Sequence, residues 1–262
     1  MNLPELKIIN ILKDLKEKFN IIGIKAEFEA EGTSFEEAEL LNNIIKYAEL
    51  DLTIKIGGCQ AINDLYQAKS LQASAIVAPM IESPYALKKY IHAINTVYSD
   101  CNNLPKFYIN IETIYGFKQI DNILNIKELS VINGIIFGRT DMAGSLELDK
   151  TETDSEIIFN YANILAQKAD MHNLEFGIGG NISPASVSGL KNIKSLNKFE
   201  TRKIIFDAQS ALNSNNVKDG ILKAIEFEIL WLKYKLEYHA NLFHKTDASR
   251  LNELEQRYIG LV

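Results

Sequence analysis

Apolar and polar positions follow two alternating periods along most of this chain. Apolar residues recur at helical spacing over residues 4–19, and apolar and charged residues then alternate strictly over residues 22–32, as they do in a strand. The same succession of strand and helix repeats along the chain, which indicates a mainly parallel sheet covered by helices. The further predicted strands are 51–58, 75–82, 107–112, a run ending at Asp141, 176–183 and 198–207, and the further predicted helices are 34–48, 60–71, 84–98, 154–170 and 219–243.

The composition is that of an ordinary globular protein, with 47% hydrophobic and 24% charged residues. A length of 262 residues suffices for one barrel of typical size or at most two small domains. The net charge of −6 argues against nucleic acid or an anionic membrane as partner, because both require a basic patch. Cys59 and Cys101 lack the spacing of metal ligands. In the absence of a leader or an apolar run of about 18 residues, we expect a cytoplasmic protein.

Two of the predicted strands end on a carboxylate. Glu112 closes the run that begins at Phe107, and Asp141 follows the next apolar run, 29 residues further on. That distance is about what one strand, one helix and the next strand require. Since the carboxyl ends of neighbouring parallel strands meet at one edge of the sheet, the two acids would converge there and could hold a divalent cation through oxygen ligands.

Three segments around these acids resemble one enzyme family. They are Ala78-Pro79-Met80-Ile81-Glu82, then Ile111-Glu112-Thr113 with Gly116, and finally Phe137-Gly138-x-x-Asp141 with Gly144-Ser145. They are similar to the metal-binding core of the hydroxyoxoheptanedioate aldolase and citrate lyase β-subunit family, over roughly residues 54–146. The resemblance implies a (β/α)8 barrel of the pyruvate and phosphoenolpyruvate type, in which Glu112 and Asp141 bind Mg²⁺ or Mn²⁺ against a pyruvate-like 2-oxo acid.

On this reading the whole chain, residues 1–262, is a single barrel domain. It has an N-terminal helix over residues 1–19, the barrel over 20–207 and a helical extension over 217–262. The pattern contains seven strand candidates rather than eight. We therefore expect an atypical first strand, either hidden near residues 20–22 or replaced by the N-terminal helix.

Two positions depart from the family's pattern. Lys55 stands where the family presents an arginine to the substrate carboxylate, and lysine supplies the charge without a bidentate fork. The family's aldolases commonly use a histidine on the hydroxyl proton, and Glu29 and Glu31 stand in the matching loop instead. We expect Lys55 to bind the carboxylate and Glu29 or Glu31 to act as the base, because crowded carboxylates have raised pKa values.

Glycines and one arginine complete the predicted substrate site. Gly57 and Gly58 would let backbone amides approach an anion closely. Gly179 and Gly180 lie in a glycine-rich turn that either cradles a phosphate or carboxylate or only needs a positive φ angle. Arg139 is also predicted to bind the substrate.

These features predict a metal-dependent carbon–carbon lyase or aldolase that acts on a 2-oxo acid through a pyruvate-like enolate, with Mg²⁺ or Mn²⁺ as cofactor. Two alternatives stay open. The first is a Schiff-base aldolase that uses Lys25, Lys55 or Lys203 and needs no metal. The second is a barrel without turnover that serves as a binding or scaffold subunit. The sequence leaves open whether the substrate is a free acid, a sugar acid or an acyl-CoA.

The predicted helix 219–243 is apolar on two faces. One face is aliphatic, and the opposite face carries the aromatic stripe Phe227, Trp231, Tyr234 and Tyr238. A helix of this kind requires two partners. We therefore expect a homo-oligomer in which this helix contributes to the interface, as the resemblance also implies.

Overall fold

The structure is a computed structural model that describes residues 3–260, apart from the side chain of residue 150. Within those residues, eight strands form one closed barrel. The strands are β1 Ile21–Glu27, β2 Asp51–Lys55, β3 Ala75–Ala78, β4 Lys106–Ile111, β5 Gly134–Gly138, β6 Glu175–Gly179, β7 Lys198–Glu200 and β8 Ile204–Asp207. The α-helices are α1 Leu3–Phe19, α2 Phe35–Lys46, α3 Ile62–Ser70, α4 Pro84–Tyr98, α5 Ile114–Lys118, α6 Ile120–Leu124, α7 Arg139–Ser145, α8 Glu156–Met171, α9 Val187–Lys191, α10 Ala208–Asn213, α11 Val217–Tyr238 and α12 Lys245–Ile259. None of the helices in this part of the chain is both long and apolar enough to cross a lipid bilayer.

The barrel contains one antiparallel strand. β1 to β7 pair in parallel, in chain order, whereas β8 pairs antiparallel with both β7 and β1. The predicted eight-stranded α/β barrel is therefore confirmed. The segment 198–207, predicted as one last strand, is a hairpin of two strands. The expectation of a hidden or replaced first strand is wrong, because β1 is a regular member of the barrel.

The hairpin turns over residues 201–203, which contain neither glycine nor proline. The N–H of Thr201 donates to the carbonyl of Ile204 at 2.9 Å, and the N–H of Ile204 donates back to Oγ1 of Thr201 at 3.1 Å. Across the two strands Phe199 stacks on Phe206, with ring centroids 4.7 Å apart. These contacts allow the short β8 to close the barrel between β7 and β1.

Capping residues fix where the helices begin. The Oγ of Ser34 accepts a hydrogen bond from the N–H of Glu37 at 3.2 Å, and the Oγ of Ser83 accepts one from Ala86 at 3.1 Å. Pro84 takes the first position of α4, where its missing N–H costs no hydrogen bond. The observed first residues of α2 and α4, directly after residues 34 and 83, agree with the sequence pattern.

A polar cavity occupies each end of the barrel. The lower cavity, at the amino ends of the parallel strands, has a volume of about 460 Å³ and includes Lys198 and Tyr108 in its wall. It exists because inward positions on the first three strands carry small residues, namely Gly23, Thr53 and Ala75. The upper cavity, at the carboxyl ends, is described in the next section.

The aromatic stripe of α11 is covered by its own chain. Phe227, Trp231 and Tyr234 belong to the buried core, whereas Tyr238 is 51% exposed. α11 packs against α1, and α12 folds back against α11. The aromatic stripe therefore does not require a second subunit. A homo-oligomer stays a prediction, but this reason for it does not hold.

Candidate active site

The upper cavity lies at the carboxyl end of the parallel strands and has a volume of about 360 Å³. Strand ends and the loops after them form most of its wall, and α11 and α12 form the remainder. The active sites of (β/α)8 barrels lie at this end. Its charged lining residues are Lys25, Glu27, Glu29, Lys55, Glu112, Asp141, Glu200, Arg202, Glu228, Arg250, Glu253 and Arg257.

Glu112 is the most deeply held carboxylate of this cavity. It follows the last residue of β4 and is only 2% exposed. Its Oε1 accepts a hydrogen bond from the N–H of Met80 at 3.0 Å, and its Oε2 accepts one from Nδ2 of Asn110 at 2.7 Å. Met80 adopts a left-handed backbone conformation, with φ 49°, in the loop after β3. Groups from two neighbouring strand ends thus fix the position of the Glu112 carboxylate.

Asp141 lines the same cavity from the first turn of α7, directly after β5. Although Asp141 is exposed at the cavity surface, partial desolvation raises the pKa of its carboxyl, Glu112 raises it further and Lys55 acts in the opposite direction. The Asp141 carboxylate has no hydrogen bond or ion pair within residues 3–260. The structure therefore brings together the two acids that the strand spacing predicted to converge.

Lys55 stands between two carboxylates. Its Nζ lies 2.8 Å from Oε2 of Glu29 and 3.4 Å from Oε2 of Glu112, and its side chain is 8% exposed. Burial acts to lower the pKa of Lys55, but Glu112 and Glu27 outweigh burial and raise it. Lys55 is therefore a charged ammonium group that faces the cavity, at the position where the resembled family presents an arginine.

A second charged layer lies beneath the first. The Nζ of Lys25 contacts Oε1 of Glu27 at 2.8 Å and also the carboxylate of Glu200. Burial acts to lower the pKa of Lys25, but Glu200 and Glu27 raise it well above the ordinary value of a lysine. Lys25 is thus neutralised by two glutamates inside the barrel.

Two observations bear on whether the donor set fits a divalent cation. The lining residues named above include seven acidic side chains against five basic ones, an excess of two negative charges. The Oδ1 of Asn110 is buried without a hydrogen-bond partner in the described part of the chain. Because Nδ2 of Asn110 faces a carboxylate, which can only accept, the free atom is the carbonyl oxygen. Residues 3–260 contain no cluster of three or more His, Cys, Asp or Glu side chains arranged to hold a metal, so Glu112 and Asp141 would need oxygen ligands from substrate and water as well.

Gly57 and Gly58 do not line the upper cavity, which corrects one prediction. The N–H of Gly57 donates to Oδ2 of Asp64 at 2.6 Å. Asp64 lies in the first turn of α3, so the helix that follows β2 takes the amide that was expected to contact a substrate anion.

Arg139 is also misassigned by the sequence pattern, since it is fully buried and does not reach the cavity. Its guanidinium pairs with Asp154 and donates to the main-chain carbonyls of Gly179 and Gly180. Burial lowers its pKa, although Asp154 acts in the opposite direction. The side chain lies beneath the turn after β6 and holds that turn in place.

Gly179 and Gly180 do line the cavity. Gly180 has φ +88°, and a Cβ at this position would lie 2.6 Å from the backbone nitrogen of Thr140. A glycine is therefore required for backbone conformation and for close packing against α7. An anion-binding role for the turn stays a prediction.

Glu31 does not line the upper cavity, whereas Glu29 does. The Glu31 carboxylate is bound by Nε of Arg202 at 2.9 Å and by the ammonium group of Lys203. Glu31 lies outside the cavity because β1 ends at Glu27. The turn that follows breaks the alternation of inward and outward side chains from which Glu29 and Glu31 were predicted. Of the two predicted bases, only Glu29 lines the cavity, and its role as a base stays a prediction.

Sequence reasoning missed the contribution of α12. Arg250, Glu253 and Arg257 reach the cavity from this helix, and Glu228 reaches it from α11. The spacing of Arg250, Leu254 and Arg257 places them on one helical face, which the sequence could have revealed. Nothing in that pattern indicates that the helix folds back to the mouth of the barrel. None of the four histidines lines the cavity.

No protein-family model and no curated protein matches the chain. The comparison with solved structures agrees with the barrel architecture. An HpcH/HpaI aldolase from Desulfitobacterium hafniense has a TM-score of 0.58 at 13% identity, over 76% of this chain and 82% of that chain.

Two further structures are similar to the same extent. An HpcH/HpaI aldolase/citrate lyase family protein from Burkholderia cenocepacia has a TM-score of 0.56 at 12% identity, over 74% of this chain and 82% of that chain. A variant of the citrate synthase SbnG has a TM-score of 0.54 at 13% identity, over 76% and 82%. The chain thus has the barrel fold of HpcH/HpaI aldolase and citrate lyase family structures, which supports the sequence resemblance at the level of the fold.

Proposed function

We propose that this protein is a metal-dependent carbon–carbon lyase or aldolase that acts on a 2-oxo acid through a pyruvate-like enolate. The observation that carries the proposal is the convergence of Glu112 and Asp141 in one cavity with Lys55. The fold shared with aldolase and citrate lyase family structures supports the same class of reaction. The hydroxyoxoheptanedioate substrate of the resembled family is not part of the proposal.

Glu112 and Asp141 would hold the cation, Mg²⁺ or Mn²⁺. When bound, such an ion polarises the carbonyl of a 2-oxo acid and stabilises the negative charge of an enolate. The protein supplies a carboxylate that is already fixed, because Met80 and Asn110 hold Glu112 before any ligand arrives. The free Oδ1 of Asn110 can accept a hydrogen bond from a substrate hydroxyl or a water molecule.

Lys55 and Glu29 would carry out the remaining steps. The ammonium group of Lys55 would bind the substrate carboxylate, at the cost of its contact with Glu29. The released carboxylate of Glu29 would accept the proton of the substrate hydroxyl. The carbon–carbon bond then breaks, its electron pair passes into the enolate, and the hydroxyl carbon becomes an aldehyde or ketone.

The Schiff-base alternative is less compatible with the electrostatics. A lysine must lose its proton before it can attack a carbonyl. Lys25, Lys55 and Lys203 all have pKa values above the ordinary value, because their carboxylate neighbours outweigh burial. Lys25 and Lys55, the two of these lysines that line the upper cavity, therefore act as charges rather than as nucleophiles.

Oxaloacetate decarboxylation tests this proposal, because it generates the same enolate and needs no second substrate. The protein should decarboxylate oxaloacetate in Mg²⁺ or Mn²⁺, lose this activity in EDTA and regain it when metal is restored. Decarboxylation that continues unchanged in EDTA would contradict the proposal.

A further inference from the structure

The lower cavity is separate from the candidate active site. Its volume of about 460 Å³ exceeds that of the upper cavity, about 360 Å³, and the two cavities share no lining residue. Asp51, Asn197 and Gln209 are exposed members of its wall, so the space is open to solvent. A small molecule could therefore enter it without passing the carboxyl end of the barrel.

The amine of Lys198 lies in the wall of this cavity. Its side chain is 12% exposed, and its Nζ lies 3.5 Å from the centroid of the Tyr108 ring. Two glycines leave the room for this arrangement. A Cβ on Gly177 would lie 2.9 Å from Cγ of Lys198, and a Cβ on Gly134 would lie 2.9 Å from two atoms of the Tyr108 ring. The amine and the ring are thus placed together by the strands around them.

Lys198 has only a long contact with a carboxylate. Glu175 receives Nζ of Lys106 at 2.6 Å and the hydroxyl of Tyr108 at 2.7 Å, whereas Nζ of Lys198 is 3.4 Å away. Within residues 3–260 no other carboxylate oxygen lies within 4.0 Å of that Nζ. Burial therefore outweighs Glu175 and lowers the pKa of Lys198 to about 8. An unprotonated amine is nucleophilic, and roughly a tenth of this amine is unprotonated at pH 7.

The lining of the cavity determines which carbonyl compounds fit it. Its charged members are three acids and two bases, namely Asp51, Glu175, Asp207, Lys106 and Lys198. This balance disfavours a ligand that carries its own negative charge. Further polar side chains in the wall are Thr53, Ser74, Asn197 and Gln209. Their hydroxyl and amide groups can form hydrogen bonds with the hydroxyls of an uncharged ligand.

We propose that the lower cavity is a second ligand site, in which the amine of Lys198 forms an imine with a small, uncharged hydroxyaldehyde. The nitrogen lone pair attacks the aldehyde carbon, and the carbonyl oxygen leaves as water with the two N–H protons of the amine. One proton from solvent then converts the imine to an iminium. Because the iminium keeps the positive charge of the ammonium group, the Tyr108 ring and Glu175 stabilise it as well. This chemistry is independent of the proposed lyase function.

Reductive trapping followed by peptide mass mapping tests the inference on the intact protein. Glyceraldehyde is added at pH 7.5 with sodium cyanoborohydride, which reduces an iminium to a stable amine. Lys198 should be modified about 10- to 100-fold faster than the exposed Lys127, because more of its amine is unprotonated. Relative to Lys127, glyoxylate should modify Lys198 more slowly than glyceraldehyde does, since it carries a carboxylate. Equal rates at the two lysines, or a preference for glyoxylate, would overturn the inference.

The dependence on aldehyde concentration separates a binding site from a merely reactive amine. The rate at Lys198 should saturate as glyceraldehyde is increased, whereas the rate at Lys127 should rise linearly. Ala75→Leu fills the cavity without removing the amine, so it should slow the modification of Lys198 by about 10-fold and leave Lys127 unchanged, in a protein that is folded by circular dichroism. A linear rate at Lys198 in the wild type, or an unchanged rate in folded Ala75→Leu, would show that no site is present and overturn the inference.

Discussion

Gly138 lies so close to Glu112 that a Cβ at position 138 would sit 2.7 Å from Oε2 and 2.8 Å from Cβ of the glutamate. Real Cβ atoms do not approach other atoms to such distances, so any side chain at 138 must displace Glu112. The end of β5 therefore leaves room for Glu112, the residue that follows β4, because residue 138 is a glycine.

Gly138→Ala should reduce activity by about 100-fold, because a displaced Glu112 loses its fixed geometry. The matched control is Gly144→Ala in α7, where a Cβ would meet nothing within 4 Å. Oxaloacetate decarboxylation should fall in the first variant and persist in the second, with both proteins folded by circular dichroism. Full activity in Gly138→Ala would show that the position of Glu112 is not critical.

Lys55→Met should raise the KM for oxaloacetate by about 10- to 100-fold, since it removes the ammonium group that faces the substrate carboxylate. Lys203→Met is the comparison, because Lys203 is equally buried but pairs with Glu31 outside the upper cavity. Steady-state kinetics should show the KM effect in the first variant alone. If both variants have the KM of the wild type, Lys55 does not bind the carboxylate.

Glu27 should contribute to stability at neutral pH and lose that contribution in acid. Burial acts to raise its pKa, but Lys25 and Lys55 outweigh burial and lower it from 4.5 to about 2. A carboxyl with a lowered folded-state pKa stabilises the protein above the unfolded value, and this contribution is lost as pH falls from 4.5 to 2. Urea unfolding should give Glu27→Gln a deficit on the order of 3 kcal/mol at pH 7 that shrinks towards pH 2. A deficit that does not change with pH would contradict the ionic role.

Lys198, at the other end of the barrel, should also make the protein more stable as pH rises, but in the alkaline range. Burial in the wall of the lower cavity lowers its pKa to about 8, with Glu175 acting in the opposite direction. The unfolded chain then binds more protons between pH 8 and 10.5, so the free energy of unfolding of the wild type should rise over this range relative to Lys198→Gln. The variant should keep its oxaloacetate decarboxylation. Parallel pH profiles of the two proteins would show that Lys198 titrates normally.

Periodicity predicted a mainly parallel sheet covered by helices, the family resemblance implied that the sheet closes into a barrel, and strand spacing predicted that the two acids converge. The strand–helix–strand distance placed Glu112 and Asp141 at one edge of the sheet, and both line the upper cavity. The hairpin of β7 and β8 was missed because its turn at residues 201–203 lacks the residues that usually mark turns.

The errors at the site have a common cause. The hydrogen-bond or ion-pair partner of a residue is set by contacts that strand periodicity does not show. Asp64 takes the amide of Gly57, and the β6 turn takes the guanidinium of Arg139. Pattern alone gives the direction of a strand residue, but not its partner. The position of α12, and with it Arg257, depends on tertiary contacts that leave no local signal.

The central claim is that Glu112 and Asp141 hold a divalent cation that promotes enolate formation, and exchange of the methyl protons of pyruvate in D₂O tests it most directly. Proton NMR should show exchange in Mg²⁺ or Mn²⁺ and none in EDTA. It should also show a loss of exchange in Glu112→Gln and Asp141→Asn, which keep the shape but remove a charge from the site. Exchange that continues in EDTA, together with a borohydride-trapped pyruvate adduct on Lys25, Lys55 or Lys203, would contradict the claim and establish the Schiff-base alternative. If the protein shows no exchange and binds no metal across a panel of 2-oxo acids, the claim is contradicted and a barrel without turnover is favoured.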